Sequence, residues 1–206
     1  MNEIVPGVWH WSRIHPNHGR LVSSYFVAAT GLLIDPMVPD EGLDAVAEAA
    51  GAEPRRIALS CRHHRRDSAE FAARYDLEVL CNEEGLHEFE DDGDLVVRGF
   101  APPARIDERV TALPVGAISP DETALLVETD ESAALVVADG VMRGDDGELR
   151  FVSDSLLGDD PQQVKSGLRK AFAEIAGEQE FGALLVAHGE PIVRGGREAL
   201  AAFAAG

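Results

Sequence analysis

The densest chemistry in the chain lies in one short run, Cys61-Arg62-His63-His64-Arg65-Arg66-Asp67. Thiolates, neutral imidazoles and carboxylates are the ligands of zinc and related ions. A guanidinium stays protonated and has no lone pair for a metal, but its fork matches a carboxylate or a phosphate. The run therefore reads two ways: as a metal-ligating loop built on Cys61 with His63 or His64, or as an anion-binding loop built on Arg65 and Arg66. Cys61 beside a histidine is also a candidate nucleophile, although spacing alone does not lower a thiol pKa, and a buried structural thiol is the plainer reading. Farther along, Asp139 follows the apolar run Leu135 to Ala138, and His188 follows Leu184 to Ala187. His188 is the histidine most expected to line a pocket. His10, between two tryptophans, reads as a strand residue and His87 as a surface helix residue. His15 and His18 lie in Arg13 to Gly19, a loop with Pro and Gly that can cover a pocket, and they read as exposed.

These residues need a scaffold, and the apolar pattern supplies one. Leu21 to Ala28, Gly31 to Ile34, Ile57 to Ser60 and Leu77 to Cys81 are short runs bounded by turn residues, as strands are. So are Val110 to Val115, Thr123 to Glu128, Ala133 to Ala138, Glu148 to Val152 and Ala183 to Val186. Helical spacing appears in Asp40 to Ala50, closed by Gly51, and in Ser68 to Tyr75, with Ser68 as N-cap and Phe71 inward. Glu83 to Glu90 reads as a short acidic helix and Gly196 to Ala205 as the last helix. In Pro161 to Ala176, Val164, Leu168, Phe172 and Ile175 fall on one face and Gly177 ends the pattern. Strands with interspersed helices and no long linker predict one domain over 1–206, with two β layers covered by helices on both outer faces.

Composition narrows the partners. A formal charge of −19 repels a phosphate backbone, so nucleic acid is not expected; solubility is the simple reading of the charge. No run approaches the ~20 apolar residues of a membrane span. The opening MNEIVPGVWHW lacks the basic and apolar regions of a secretory signal, so a cytoplasmic protein is expected. Two cysteines make no disulfide framework.

Four stretches, in order, resemble the metallo-β-lactamase superfamily. Glu3 to Trp11 with Ser23 to Pro36 is similar to that family's opening hairpin, ending on Asp35. Leu59 to Asp67 stands where the family carries its Thr-His-x-His-x-Asp-His loop. Leu135 to Gly140 resembles the strand ending in the metal-bridging Asp, and Leu184 to Pro191 with Gly195 to Glu198 resembles the late Gly-His-Gly loop and final helix. The resemblance implies a four-layer αββα sandwich and a dinuclear zinc hydrolase ancestry. The zinc loop departs from the family pattern. With Ser60 on the family's Thr, Cys61 and His63 take the first two ligand positions, and Arg65 and Arg66 take the last two. A register one residue later uses His64 instead. Near Gly116 to Ser119, where another ligand histidine is implied, there is none.

In the first register one zinc site keeps Cys61, His63 and Asp139, and the other keeps only Asp139 and His188. The expectation is a metallo-β-lactamase-fold protein without a complete dinuclear centre and with no cofactor. It would bind a small anionic ligand through Arg65, Arg66 and the histidines, with Arg66 or Arg65 pairing with Asp139 in place of the metal. The alternative is a hydrolase with one zinc or other divalent ion on Cys61, His63, Asp139 and His188.

Overall fold

The computed structural model describes residues 1–206 as two sheets facing one another, with helices on both outer sides. The first sheet is built in chain order from β1 (Asn2–Val5), β2 (Val8–Ile14), β3 (Leu21–Val27), β4 (Leu32–Ile34), β5 (Arg56–Ala58), β6 (Glu78–Asn82) and β7 (Val97–Phe100). Its first four strands are antiparallel hairpins, while β4, β5, β6 and β7 pair in parallel. Parallel neighbours need a crossover. Here α1 (Ala45–Ala50) and α2 (Ser68–Tyr75) provide two of them.

The second sheet holds β8 (Ala104–Asp107), β9 (Val110–Pro114), β10 (Thr123–Glu128) and β11 (Ala133–Val137). A small hairpin, β12 (Met142–Arg143) with β13 (Leu149–Arg150), and helix α3 (Pro161–Glu178) follow. The last strand, β14 (Ala183–Val186), then runs parallel to β11, and α4 (Gly196–Ala205) closes the chain.

Alternation decides which side chains go where. Leu32 and Ile34, Ala58, Leu80, Leu125 and Val127, Ala134 and Val136, and Ala183 and Leu185 all face the space between the sheets. Their neighbours Leu33, Ile57, Leu59, Val79 and Cys81 face the other way, onto Val46 of α1 and Phe71 of α2. On the far side Leu135, Val137, Leu184 and Val186 meet Leu168, Phe172 and Ile175 of α3 and Leu200 of α4. Strands buried on both faces read as continuous apolar runs, and this explains ALVV, ALLV and LLI in the sequence. Sequence and structure agree on the four-layer αββα architecture.

Differences from the expected elements are local. Asp67, not Ser68, precedes α2. Glu83–Phe89 is a 3₁₀ helix, and α1 starts only at Ala45. The strands β7 (VRGF) and β8 (ARID) are only four residues each, too short for a pattern to stand out, so sequence alone passes over them. No helix is long and apolar enough to cross a membrane.

Candidate metal centre

The carboxyl ends of two parallel pairs, β4 with β5 and β11 with β14, come together at one edge of the sandwich. Asp35 follows β4, Ser60 and Cys61 follow β5, Asp139 follows β11 and His188 follows β14. Loops at the carboxyl ends of parallel strands are where open α/β sheets bind ligands. The two sheets are stitched together at this edge. The Thr123 N–H donates to the Ser60 carbonyl at 2.9 Å, the Ser23 N–H to the Ala187 carbonyl at 2.9 Å, and the Tyr25 hydroxyl to the Val186 carbonyl at 2.7 Å.

A single turn of 3₁₀ helix, Arg62–His64, sorts the two adjacent histidines: His64 is buried and His63 is exposed. Asp121 fixes this turn. It is fully buried, accepts the Arg62 backbone N–H at 2.6 Å, and pairs with the Arg62 guanidinium. Asp35, in the left-handed region at φ +48°, holds the other side. Its carboxylate accepts from the Ser60 N–H (2.8 Å), the Ser60 hydroxyl (2.5 Å) and His64 Nδ1 (2.9 Å). His64 Nε2 then faces Asp139 Oδ1 at 3.3 Å.

His188 is oriented in the same way. Its Nδ1 lies 3.3 Å from the Leu21 carbonyl, which can only accept, and its Nε2 lies 3.1 Å from Asp139 Oδ1. One ligand atom each from Cys61, His64 and Asp139 lie within 4.8 Å of one another. Cys61 and His64 are buried, whereas the Asp139 side chain is 31% exposed, so the cluster opens to solvent on the Asp139 side.

The charges are tightly coupled. Burial disfavours an imidazolium at His64, but the Cys61, Asp35 and Asp139 charges outweigh it and hold the pKa well above the ordinary histidine range. Burial likewise opposes ionisation of Asp139 and Asp35, yet His64 leads the set of partners that keeps both below the usual carboxylate range. At Cys61 burial wins and the thiol pKa rises. A raised pKa and a side chain only 3% exposed argue against a free nucleophile.

The residues singled out in the sequence divide here. Cys61, His64 and Asp139 converge, and His188 joins them through Asp139 Oδ1. His63 does not: the fold takes Cys61 from the first register of the loop and His64 from the later one, so neither register holds over the whole loop. Neither arginine meets Asp139. Arg65 pairs with Asp92, and Arg66 donates from Nη1 to the Ser23 carbonyl (2.5 Å) and the Asp35 carbonyl (2.7 Å). The expected pairing of Arg66 or Arg65 with Asp139 is therefore corrected. The cation beside Asp139 is His64, and Arg66 instead satisfies backbone carbonyls at the end of β4.

Glu122 carries no motif that singles it out in the sequence. It is fully buried behind the site; one carboxylate oxygen accepts the Gly140 N–H at 2.6 Å and the other has no partner. Burial and then the Asp139 charge push its pKa up to about 7. Its one signal is position: an acid immediately before the apolar strand β10.

The tip of the β2–β3 hairpin stands over the open side. His15 and His18 stack with ring centroids 4.2 Å apart and planes 4° from parallel, and the His18 ring lies edge-on to His188 at 6.4 Å. The turn is closed by the His15 N–H to the Arg20 carbonyl (2.8 Å) and the Gly19 N–H to the His15 carbonyl (2.9 Å).

Comparison with solved structures places this architecture. The chain matches a metallo-β-lactamase from Erythrobacter litoralis at TM-score 0.70 and 14% identity, over 99% of this chain and 95% of the other. A motif mutant of a HARLDQ-motif metallo-β-lactamase from Cronobacter sakazakii matches at 0.68 and 17%, over 99% and 92%. A metallo-β-lactamase family protein from Thermus thermophilus matches at 0.67 and 15%, over 97% and 80%. No protein-family model and no curated protein matches the sequence. The similarity at this identity is one of fold.

Proposed function

We propose that this metallo-β-lactamase fold holds one zinc-class ion on Cys61, His64, Asp139 and His188 and uses it for hydrolysis. The observation that carries the reading is the state of the two imidazoles. Each has its Nδ1 committed to an acceptor, Asp35 for His64 and the Leu21 carbonyl for His188. Each therefore turns Nε2 toward the same carboxylate oxygen. Carboxylate or carbonyl behind histidine is the usual outer support of a metal ligand, fixing both tautomer and ring orientation. The resulting S, N, N, O donor set suits zinc.

Bound there, an ion would supply Lewis acidity toward a carbonyl or phosphoryl oxygen. The chain's own residues do the rest. Asp35 and Ser60 hold His64 in place, Asp121 holds the turn that carries Cys61 and His64, and Glu122 holds the backbone beside Asp139. The exposed side of Asp139 leaves room for substrate. A second ion finds few ligands. Arg65 and Arg66 stand where ligands would be and are committed elsewhere, and Gly116 to Ser119 offers no histidine.

Elemental analysis of protein purified without chelators or affinity-tag metal tests this. One equivalent per chain is expected, lost in Cys61→Ser and His64→Ala and retained in His63→Ala. Two equivalents overturn the mononuclear reading. No uptake favours the runner-up, a metal-free ligand-binding protein in which the His64 imidazolium alone balances Asp35 and Asp139.

A further inference from the structure

The expected anion site at Arg65 and Arg66 is taken up by internal partners, yet the hairpin over the centre carries His15, His18 and Arg20 in a strongly acidic chain. Around the hairpin tip Arg66, His64 and His188 act on His15 as like charges with Asp67 opposing them, and His188, Arg20 and Arg66 act on His18 as like charges. The hairpin histidines also have a defined hydrogen-bonding state. The Asn17 N–H donates to His15 Nδ1 and the Arg20 N–H donates to His18 Nδ1, each at 3.3 Å. A ring nitrogen that accepts carries no proton, so in both neutral rings the proton sits on Nε2. This state makes Nε2 a donor and a poor metal ligand. The two rings stack in parallel, and His18 lies against His188.

We propose that His15 and His18, with Arg20, form a substrate subsite that recognises an anionic oxygen group, a carboxylate or a phosphoryl, on the molecule acted on at the centre beneath. The proposal rests on the hydrolase reading for its biological meaning, but anion binding at the hairpin does not require the metal. Imidazole N–H groups donate to anionic oxygens with the strength of charge-assisted hydrogen bonds, and Arg20 adds a flexible cation at the same turn. The backbone bonds that close the turn hold the donors in place before a ligand arrives, which reduces the ordering cost of binding.

The test titrates purified full-length protein, metal-loaded and metal-free, with inorganic phosphate and separately with acetate. Binding is read from the imidazole NMR signals of His15 and His18, and metal content is measured on the same samples. Wild type is expected to show saturable shifts at both rings in both metal states, and the tighter of the two anions identifies the group recognised. His15→Ala/His18→Ala, followed by calorimetry, is expected to weaken the preferred anion at least tenfold with metal content unchanged. His15→Gln/His18→Gln, whose amide N–H approximates Nε2–H, should recover part of that loss, and Arg65→Gln should change nothing. Absence of binding in wild type overturns the proposal. Undiminished binding in the double alanine variant also overturns it, as does binding that appears only with metal and ignores the hairpin. Loss of metal in the double variant overturns it too, by making these histidines ligands. Failure of the hydrolase reading is separate: it shows as zero metal content, with hairpin binding intact.

Discussion

Asp35→Asn changes one atom type at the most constrained point of the centre. In wild type the carboxylate accepts from the Ser60 N–H, the Ser60 hydroxyl and His64 Nδ1, and the last two converge on Oδ2. An asparagine keeps an oxygen for the Ser60 N–H but places an NH₂ where Oδ2 was. That amide must donate, so the Ser60 hydroxyl turns to accept from it and offers its own proton to His64 Nδ1. The imidazole then carries its proton on Nε2, facing Asp139, and His64 ceases to be a ligand unless the network is broken. Losing an oriented outer carboxylate typically weakens metal affinity by about 10–100-fold. The fold should also lose about 2–4 kcal/mol, because at least one charge-assisted bond disappears from a buried cluster, at ~1.5–3 kcal/mol, and the remaining donors re-pair imperfectly. Zinc competition against a chromophoric chelator measures the first effect, and urea melts of metal-free protein measure the second. Zinc affinity within twofold of wild type would refute the orienting role of Asp35, even if stability fell as expected.

Other expectations follow from the same geometry. Glu122 has a pKa of about 7 against an ordinary 4.5, so its proton is retained on folding between those values. The sign is destabilising as pH rises through this window, by up to ~3 kcal/mol at about 1.4 kcal/mol per unit. The stability of wild type relative to Glu122→Gln should therefore fall by that order between pH 4.5 and 7, and a flat difference in paired urea melts would contradict it. Arg66→Ala takes the guanidinium from the Ser23 carbonyl and leaves the Asp35 carbonyl with the Ser24 hydroxyl alone, and should cost about 1–3 kcal/mol. Adding Asp139→Asn should not rescue it, and a coupling above ~1 kcal/mol in the double-mutant cycle would restore the discarded Arg66–Asp139 pairing. Gly189→Ala places a methyl against the Arg143 carbonyl at a residue with φ +94°, so the His188 loop must move. A loss of at least ~2 kcal/mol and weaker zinc binding are expected in the same two assays.

The sandwich is legible in the sequence because its signals are collective. Apolar runs bounded by turn residues, the apolar face of α3 and the capping glycine after α1 are read together, and many residues agree. The centre is only partly legible. Cys61, Asp139 and His188 stand at strand ends, where the apolar runs stop, and the sequence marks those points. The choice between His63 and His64 depends on whether residues 62–64 extend or wind into a 3₁₀ turn. That is decided by Asp121, 59 positions distant from Arg62, through a buried contact that no local pattern carries. The arginines mislead for a related reason: their charge is evident in the sequence, but the carbonyls of Ser23 and Asp35 and the carboxylate of Asp92 that claim them are not. Glu122 escapes notice because a single buried acid has no periodicity.

The ligands are divided by chain half. Cys61 and His64 extend from the first sheet, Asp139 and His188 from the second, and near this edge the sheets are joined by only a few cross-layer hydrogen bonds. An ion spanning that division would act as a clasp between two halves of one polypeptide. Its binding energy would appear as resistance to their separation, by RT ln(1 + [L]/Kd) for free ion. Metal supply would then set how long the chain survives proteases as much as how fast it turns over substrate. A cell short of the ion would lose the protein itself along with its activity.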